Sequence, residues 1–147
     1  MANSYTQIFI HLTFHVKDDC QLDKNDLPAL YKYVTGIVTA EGGMVRAIGG
    51  VTNHIHLLFA LPKDKTLASM VMKIKANSSR WLKGLGSQYR AFSWQDGYGA
   101  FSVSASKLDA VMEYIANQEE HHRKHTFREE YIEFLKAYGI AYDERYI

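Results

Sequence analysis

Residues 44–61 have the sequence MVRAIGGVTNHIHLLFAL, which predicts a β-hairpin. Two apolar runs, at 44–51 and 53–61, meet at Gly49-Gly50-Val51-Thr52, and glycines at such a junction favour a tight turn. The hairpin supplies two neighbouring antiparallel strands, so the remaining elements have to extend a sheet that already contains this pair.

The flanking sequence predicts a strand and a helix on each side of the hairpin. Residues 7–16 alternate, with apolar side chains at the even positions from 8 to 16, and predict a strand. Apolar stripes at helical spacing predict helices at 25–41 and 66–85, and a short strand follows at 100–105. The order is β-α-β-β-α-β. It predicts an α+β fold with a ferredoxin-like (RRM-like) antiparallel sheet.

Additional C-terminal helices are predicted by two capping boxes. The first, Ser106-Lys107-Leu108-Asp109, indicates a helix that runs to about residue 124. The second, Thr126-Phe127-Arg128-Glu129, indicates a new helix that runs to about residue 138.

Composition limits the class of protein. A chain of 147 residues that is 47% hydrophobic suits one packed domain, which we expect to span residues 1–147. Its one cysteine, Cys20, excludes an internal disulfide and a cysteine-based zinc cluster. No apolar run approaches the roughly 18 residues of a membrane span, and the polar first residues do not resemble a signal peptide. We therefore expect a soluble, cytoplasmic protein with no membrane partner.

The charge distribution is more informative than the net charge of +1. A near-neutral chain argues at first against a nucleic-acid partner. Residues 63–90, however, contain seven lysines and arginines against Asp64 alone, a net charge of +6. The general alternative for such a run is a solvated helix face. The basic residues of this helix that we expect to contact DNA phosphates are Lys73, Lys75, Arg80 and Lys83.

His54 and His56 are candidate metal ligands. Alternate side chains of a strand project from the same face, with backbone positions roughly 7 Å apart, which suits two ligands of one ion. A His-x-His pair also arises readily by chance, and the alternative is two histidines hydrogen-bonded on a sheet face.

Tyr114 and Gln118 are the second candidate pair. Four residues separate them on a predicted helix, so they share a face one turn apart. Gln118 offers an amide oxygen as a third ligand, and Tyr114 offers an oxygen nucleophile. A phenol with a pKa of about 10 needs help to attack, and a divalent ion that holds a phosphate oxygen supplies it. The alternative is a tyrosine that packs half-buried on the sheet.

These residues together resemble the single-tyrosine HUH transposases (TnpA-like), which move insertion sequences as single-stranded DNA. HUH stands for His, a hydrophobic residue and His, which is His54-Ile55-His56 in this chain. The second shared motif is the later Tyr114-Ile-Ala-Asn-Gln118. Ser79-Arg80-Trp81 and the Trp94–Gly99 stretch are also similar to the family. Asn53 departs from it, because aspartate is often expected before the first histidine.

The resemblance implies a specific chemistry. Tyr114 would attack a DNA phosphate to form a 5′-phosphotyrosine and release a 3′-OH, which a second end can use to rejoin strands. His54, His56 and Gln118 would hold one divalent ion, Mg²⁺ or Mn²⁺. The resemblance also implies a homodimer that recognises single-stranded DNA with hairpin ends.

Two other functions remain open from the residues. One is a non-catalytic or domesticated protein that binds hairpin nucleic acid on the same fold. The other is a metal-dependent hydrolase that uses water as its nucleophile. For His121, His122 and His125 we favour a solvated helix end. The alternative for His122, which lies four residues after Gln118, is a substitute ligand or a phosphate contact beside the site. We favour no role for His11 beside the metal ligands. Trp94 and Tyr98 are candidates for base stacking, and the alternative is packing in the core or in a dimer interface.

Overall fold

The computed structural model describes residues 3–147, and within them it confirms the predicted fold class. The strands are β1 (Phe9–His15), β2 (Met44–Val51), β3 (His54–Ala60) and β4 (Gly99–Val103). The α-helices are α1 (Leu27–Ala40), α2 (Leu67–Lys83), α3 (Leu108–Ala116), α4 (Gln118–His121) and α5 (Phe127–Ala137).

The strands form one antiparallel sheet in the order β2-β3-β1-β4. The hairpin of β2 and β3 is present, but its turn lies at Thr52-Asn53. The turn predicted around Gly49–Thr52 is therefore placed too early, because Gly49, Gly50 and Val51 still pair with β3. Strand β1 inserts beside β3, so that β3 and β1 occupy the centre. His15 lies opposite His54 in this register, and Thr13 lies opposite His56. The histidines of both central strands are therefore neighbours across the ladder.

One face of the sheet carries the main hydrophobic core. Alternation places Leu12 and Phe14 of β1 and Leu57 and Phe59 of β3 on this face, each at most 1% exposed. Helices α1 and α2 cover it with apolar stripes that are fully or almost fully buried. Trp94 also belongs to this core, at 5% exposed, with its indole N–H donated to Ser78. Trp94 is therefore not a base-stacking platform.

The C-terminal helices cover the opposite face, on which the β3 histidines lie. Helix α3 packs directly on β2 because Gly49 leaves room for its backbone. A Cβ at Gly49 would lie 2.6 Å from the Ile115 carbonyl oxygen, closer than any side chain can approach. Gly49 therefore fixes how near the helix that carries Tyr114 comes to the sheet.

The predicted helix from 106 to 124 is interrupted. A 3₁₀ turn at Ala105–Lys107 precedes α3, and no side chain caps the helix, so the predicted capping box at Ser106 is wrong. Asn117 then separates α3 from the short helix α4. The Thr126 capping box is confirmed, with the Thr126 and Glu129 side chains each bonded to the other's backbone. No helix in the described part of the chain is long and apolar enough to cross a membrane.

Candidate active site

His54 and His56 lie on the helix-covered face of β3, and both are 0% exposed. Their ring centroids are 5.1 Å apart. The strand alternation that predicted a common face is thus confirmed, and the C-terminal helices remove both rings from solvent.

Each ring is oriented through its Nδ1 atom. The Nδ1 of His54 lies 2.8 Å from the side-chain oxygen of Asn53, and the Nδ1 of His56 lies 2.8 Å from the Nε2 of His11. An amide oxygen only accepts, so His54 donates from Nδ1 and keeps a lone pair on Nε2. Asn53, the departure from the family pattern, therefore still orients the first histidine. His11, for which we favoured no role, touches the site directly.

Gln118 reaches the histidines from the first residue of α4. Its side chain is 1% exposed, and its Oε1 lies 3.0 Å from the Nε2 of His54. The turn at Asn117 does not separate Gln118 from Tyr114, because both side chains still converge on the same point. The structure therefore brings together all three predicted metal ligands and the predicted nucleophile.

Glu130 of α5 lies at the centre of this cluster, although no sequence motif predicted it. It is 2% exposed, and its Oε1 lies 2.8 Å from His56 Nε2 and 3.4 Å from His54 Nε2. Its Oε2 accepts hydrogen bonds from the Gln118 amide at 3.1 Å and from the Tyr114 hydroxyl. A signal was present in the sequence: Glu130 lies three residues after Phe127 and four before Phe134, so it occupies the apolar face of its helix.

His122 also faces the cluster, which corrects the expected solvated helix end. Its Nδ1 lies 2.7 Å from the His125 carbonyl oxygen, so that nitrogen donates and Nε2 keeps a lone pair. The Nε2 is buried 3.1 Å from Glu130 Oε2 without a hydrogen-bond partner. His125 is exposed as expected, whereas His121 is only partly exposed and its Nε2 lies 3.4 Å from the same carboxylate oxygen.

The donor set fits a divalent cation. The ligand atoms of His54, His56, His122 and Glu130 all lie within 4.8 Å of one another. The Nε2 lone pairs of His54 and His122 point toward carboxylate or amide oxygens, which are also acceptors, so a positive ion would satisfy them. Histidines that bind metals commonly donate their other ring N–H to a carbonyl, as these two do. The residues present could therefore hold a metal ion.

Burial keeps His56 and His11 neutral at ordinary pH. Burial lowers the pKa of His56 to about 4, although its hydrogen bond to Glu130 acts in the opposite direction. Burial, followed by the neighbouring His56, lowers the pKa of His11 to about 3. Neutral imidazole is the form that binds metals.

These pKa values predict acid-sensitive stability in the metal-free protein. Unfolded histidines bind protons below about pH 6.5, whereas the folded protein holds His11 and His56 neutral, so the unfolded state takes up more protons as pH falls. Between pH 7 and pH 5 the free energy of unfolding should fall by about 1–2 kcal/mol per histidine. Urea unfolding in EDTA at both pH values measures this. The difference should shrink in His11→Phe, and an equal pH dependence in the two proteins would contradict the assignment to His11.

The Tyr114 hydroxyl is hydrogen-bonded to Glu130, whereas the side chain as a whole is accessible from solvent. Burial, and then the hydrogen bond to Glu130, raise the pKa of the Tyr114 phenol well above its ordinary value. The ring is only partly buried, and it lines an open cleft together with Asn117, His121 and Lys124. A polynucleotide strand therefore has a route to the Tyr114 side chain.

The predicted phosphate-contacting residues lie away from this cluster. Helix α2 packs on the opposite face of the sheet, so the structure does not bring its basic side chains to the histidines. Lys73 forms an ion pair with Glu41, and Lys75 donates to the carbonyl oxygens of Gln95 and Gly97 at 2.7 and 2.9 Å. Arg80 and Lys83 are exposed at the C-terminal end of the helix.

The sheet is ferredoxin-like, and one of its central strands carries the His-x-His pair. A tyrosine and a glutamine from the helices that follow the sheet face this pair. These features together define the HUH class of proteins. The sequence model of the family described as "Transposase IS200 like" matches residues 4–118. The chain belongs to this family, as the resemblance implied.

Two solved structures share the fold. A putative transposase from Deinococcus radiodurans R1 superimposes with a TM-score of 0.62 at 20% identity, covering 80% of this chain and 96% of that one. A REP-associated tyrosine transposase bound to a REP hairpin gives a TM-score of 0.61 at 17% identity, covering 83% of this chain and 73% of that one. No curated protein sequence is significantly similar to the chain.

Proposed function

We propose that this transposase-family chain cleaves and rejoins single-stranded DNA at insertion-sequence ends through a covalent bond to Tyr114. The observation that carries the proposal is the convergence of Tyr114, His54, His56 and Gln118 on one buried carboxylate. A nucleophile and a set of metal ligands that meet at one point are what phosphoryl transfer requires.

The proposed step conserves atoms and charge. The Tyr114 oxygen bonds to phosphorus, the bond from phosphorus to the 3′ oxygen breaks, and the DNA keeps a free 3′-OH. The phenolic proton leaves toward the carboxylate that already accepts it, Glu130, and the departing 3′ oxygen takes up a proton from solvent. Because the phosphotyrosine retains the energy of the broken bond, the 3′-OH of another end can reverse the step without ATP.

His54, His56 and Gln118 would hold a divalent ion, Mg²⁺ or Mn²⁺. Such an ion supplies a positive charge that polarises the phosphate and fixes its orientation. Two imidazole ligands are softer than Mg²⁺ prefers, which favours Mn²⁺ in vitro.

The proposed substrate is DNA with a hairpin at each end of the mobile element. A relative of the same fold is bound to a REP hairpin, which supports this class of substrate. The proposal includes a homodimer, one domain over residues 1–147 and a cytoplasmic location, where the protein meets the chromosome.

The decisive experiment is the detection of the covalent intermediate. Oligonucleotides that carry the imperfect palindromes flanking the coding sequence are incubated with protein and Mn²⁺ or Mg²⁺. We expect a protein–DNA adduct on denaturing gels and, after nuclease digestion, a nucleotide-modified peptide that contains Tyr114. Tight hairpin binding with no adduct in either metal would instead establish the non-catalytic alternative. Cleavage without an adduct would indicate hydrolysis by water.

The exposed end of α2 makes a separate prediction about DNA binding. Arg80→Ala and Lys83→Ala should each weaken hairpin binding. Each should also lower the slope of log Kd against log salt concentration by about one. Lys136→Ala, which removes an exposed charge from α5, is the matched control. Fluorescence anisotropy over a salt series measures the slope. Unchanged slopes in Arg80→Ala and Lys83→Ala would show that these side chains do not contact DNA phosphates and that this end of α2 is a solvated helix face.

A further inference from the structure

We propose that Glu130 of α5 is a fourth protein ligand of the divalent ion, alongside His54, His56 and Gln118. The inference rests on the proposed function, because it concerns the ion that this function requires. It adds a residue and a helix to the site that the sequence motifs do not contain.

The spacing of the donor atoms carries the first part of the argument. Neighbouring ligands of an ion bound at about 2.1 Å in octahedral geometry are about 3.0 Å apart. The Nε2 of His54 lies 3.0 Å from Gln118 Oε1 and 3.4 Å from Glu130 Oε1, and the Nε2 of His56 lies 2.8 Å from the same Glu130 oxygen. Glu130 therefore already stands where a neighbouring ligand would.

The charge balance at the site also favours Glu130 as a ligand. Two neutral imidazoles and one amide contribute no formal negative charge to balance a divalent ion. The Glu130 carboxylate adds one, and a hard oxygen ligand is the type that Mg²⁺ and Mn²⁺ favour. A carboxylate that is 2% exposed also needs positive charge nearby, since an uncompensated buried charge is costly.

His122 gives an independent sign that the cluster is built around a cation. Its Nε2 is buried, has no hydrogen-bond partner and lies 3.1 Å from the second oxygen of Glu130. A positive charge beside His122 Nε2 and this carboxylate oxygen would satisfy both atoms.

Glu130 lies beyond the part of the chain that the family model describes. That match ends at residue 118, whereas α5 begins at Phe127. The fourth ligand is thus a contribution of the C-terminal helix of this chain, and α5 becomes part of the metal site as well as a cover for it.

The test is Mn²⁺ affinity in the absence of DNA, measured by isothermal titration calorimetry and by the electron paramagnetic resonance signal of free Mn²⁺. Glu130→Gln keeps the shape of the side chain and removes its charge. As the loss of a direct ligand, it should weaken binding by more than the roughly 10–100-fold that is typical when only a hydrogen-bond partner of a ligand is removed. Glu133→Gln makes the same change at an exposed position one turn along α5 and should bind as the unaltered protein does. Equal affinity in the two variants would overturn the proposal.

A second measurement decides the matter if Glu130→Gln does not fold. Anomalous scattering from crystals of the unaltered chain grown with Mn²⁺ locates the ion directly. We expect it within bonding distance of Glu130 Oε1, and an ion held by His54 and His56 with Glu130 outside that distance would refute the inference. Failure of the proposed function would be seen separately, as the absence of a Tyr114 adduct whatever the metal affinity.

Discussion

Tyr114→Phe is expected to abolish formation of the covalent protein–DNA adduct, with a loss of at least about 10⁴-fold in cleavage rate. Phenylalanine keeps the ring that packs against His11, His56 and Phe134 and removes only the oxygen that would bond to phosphorus. No other hydroxyl donates to Glu130 in the described structure, so no substitute nucleophile is in place.

The variant separates chemistry from binding. Hairpin affinity, measured by anisotropy, should stay within a few-fold of the unaltered protein, because the missing oxygen is a reacting group and not a main contact surface. Tyr131→Phe is the matched control, since Tyr131 is also partly buried but packs on Phe127 away from the carboxylate. Adducts that persist undiminished in Tyr114→Phe would contradict the assignment of Tyr114 as the nucleophile.

His56→Ala is the second variant with a large expected effect. The lost imidazole is a proposed direct ligand, so Mn²⁺ affinity should fall by more than the 10–100-fold that is typical of residues one contact further out. Without the ion, the several kcal/mol by which a metal stabilises phosphoryl transfer are lost, a rate decrease of about 10³-fold or more.

The control for His56→Ala is His125→Ala. His125 is exposed. Its backbone carbonyl, which the substitution keeps, accepts the hydrogen bond from His122, and its ring stacks on His121, which is not a proposed ligand. Calorimetry gives the affinity, adduct formation gives the rate, and circular dichroism shows whether the variant folds. Mn²⁺-stimulated cleavage at an unaltered rate in His56→Ala would show that His56 is not a ligand of the catalytic ion.

Much of the site was predictable because the relevant periodicities are local. A strand repeats every two residues, so His54 and His56 share a face wherever the strand lies in the protein. The positions of Tyr114 and Gln118 follow in the same way from helical spacing, and their convergence survives even though Asn117 interrupts the helix.

The wrong predictions involve competition between local signals and packing. Ser106 offered a plausible cap, but the chain enters α3 through a 3₁₀ turn. For Trp94 the sequence left base stacking and core packing open, and the structure places its indole in the core against Phe14 and Phe92. The basic residues of α2 remain a prediction as DNA contacts, on a helix that covers the other face of the sheet.

The sequence by itself determined the order of the elements, the face shared by each residue pair and the membership of a family. Only the tertiary structure decided that Glu130, His122 and His11 join those pairs. The reason is that spacing along one element says which side chains share a face, whereas the partner of that face depends on how separate elements pack. Here the close approach of α3 at Gly49 and the docking of α5 over β3 bring a distant carboxylate to the histidines.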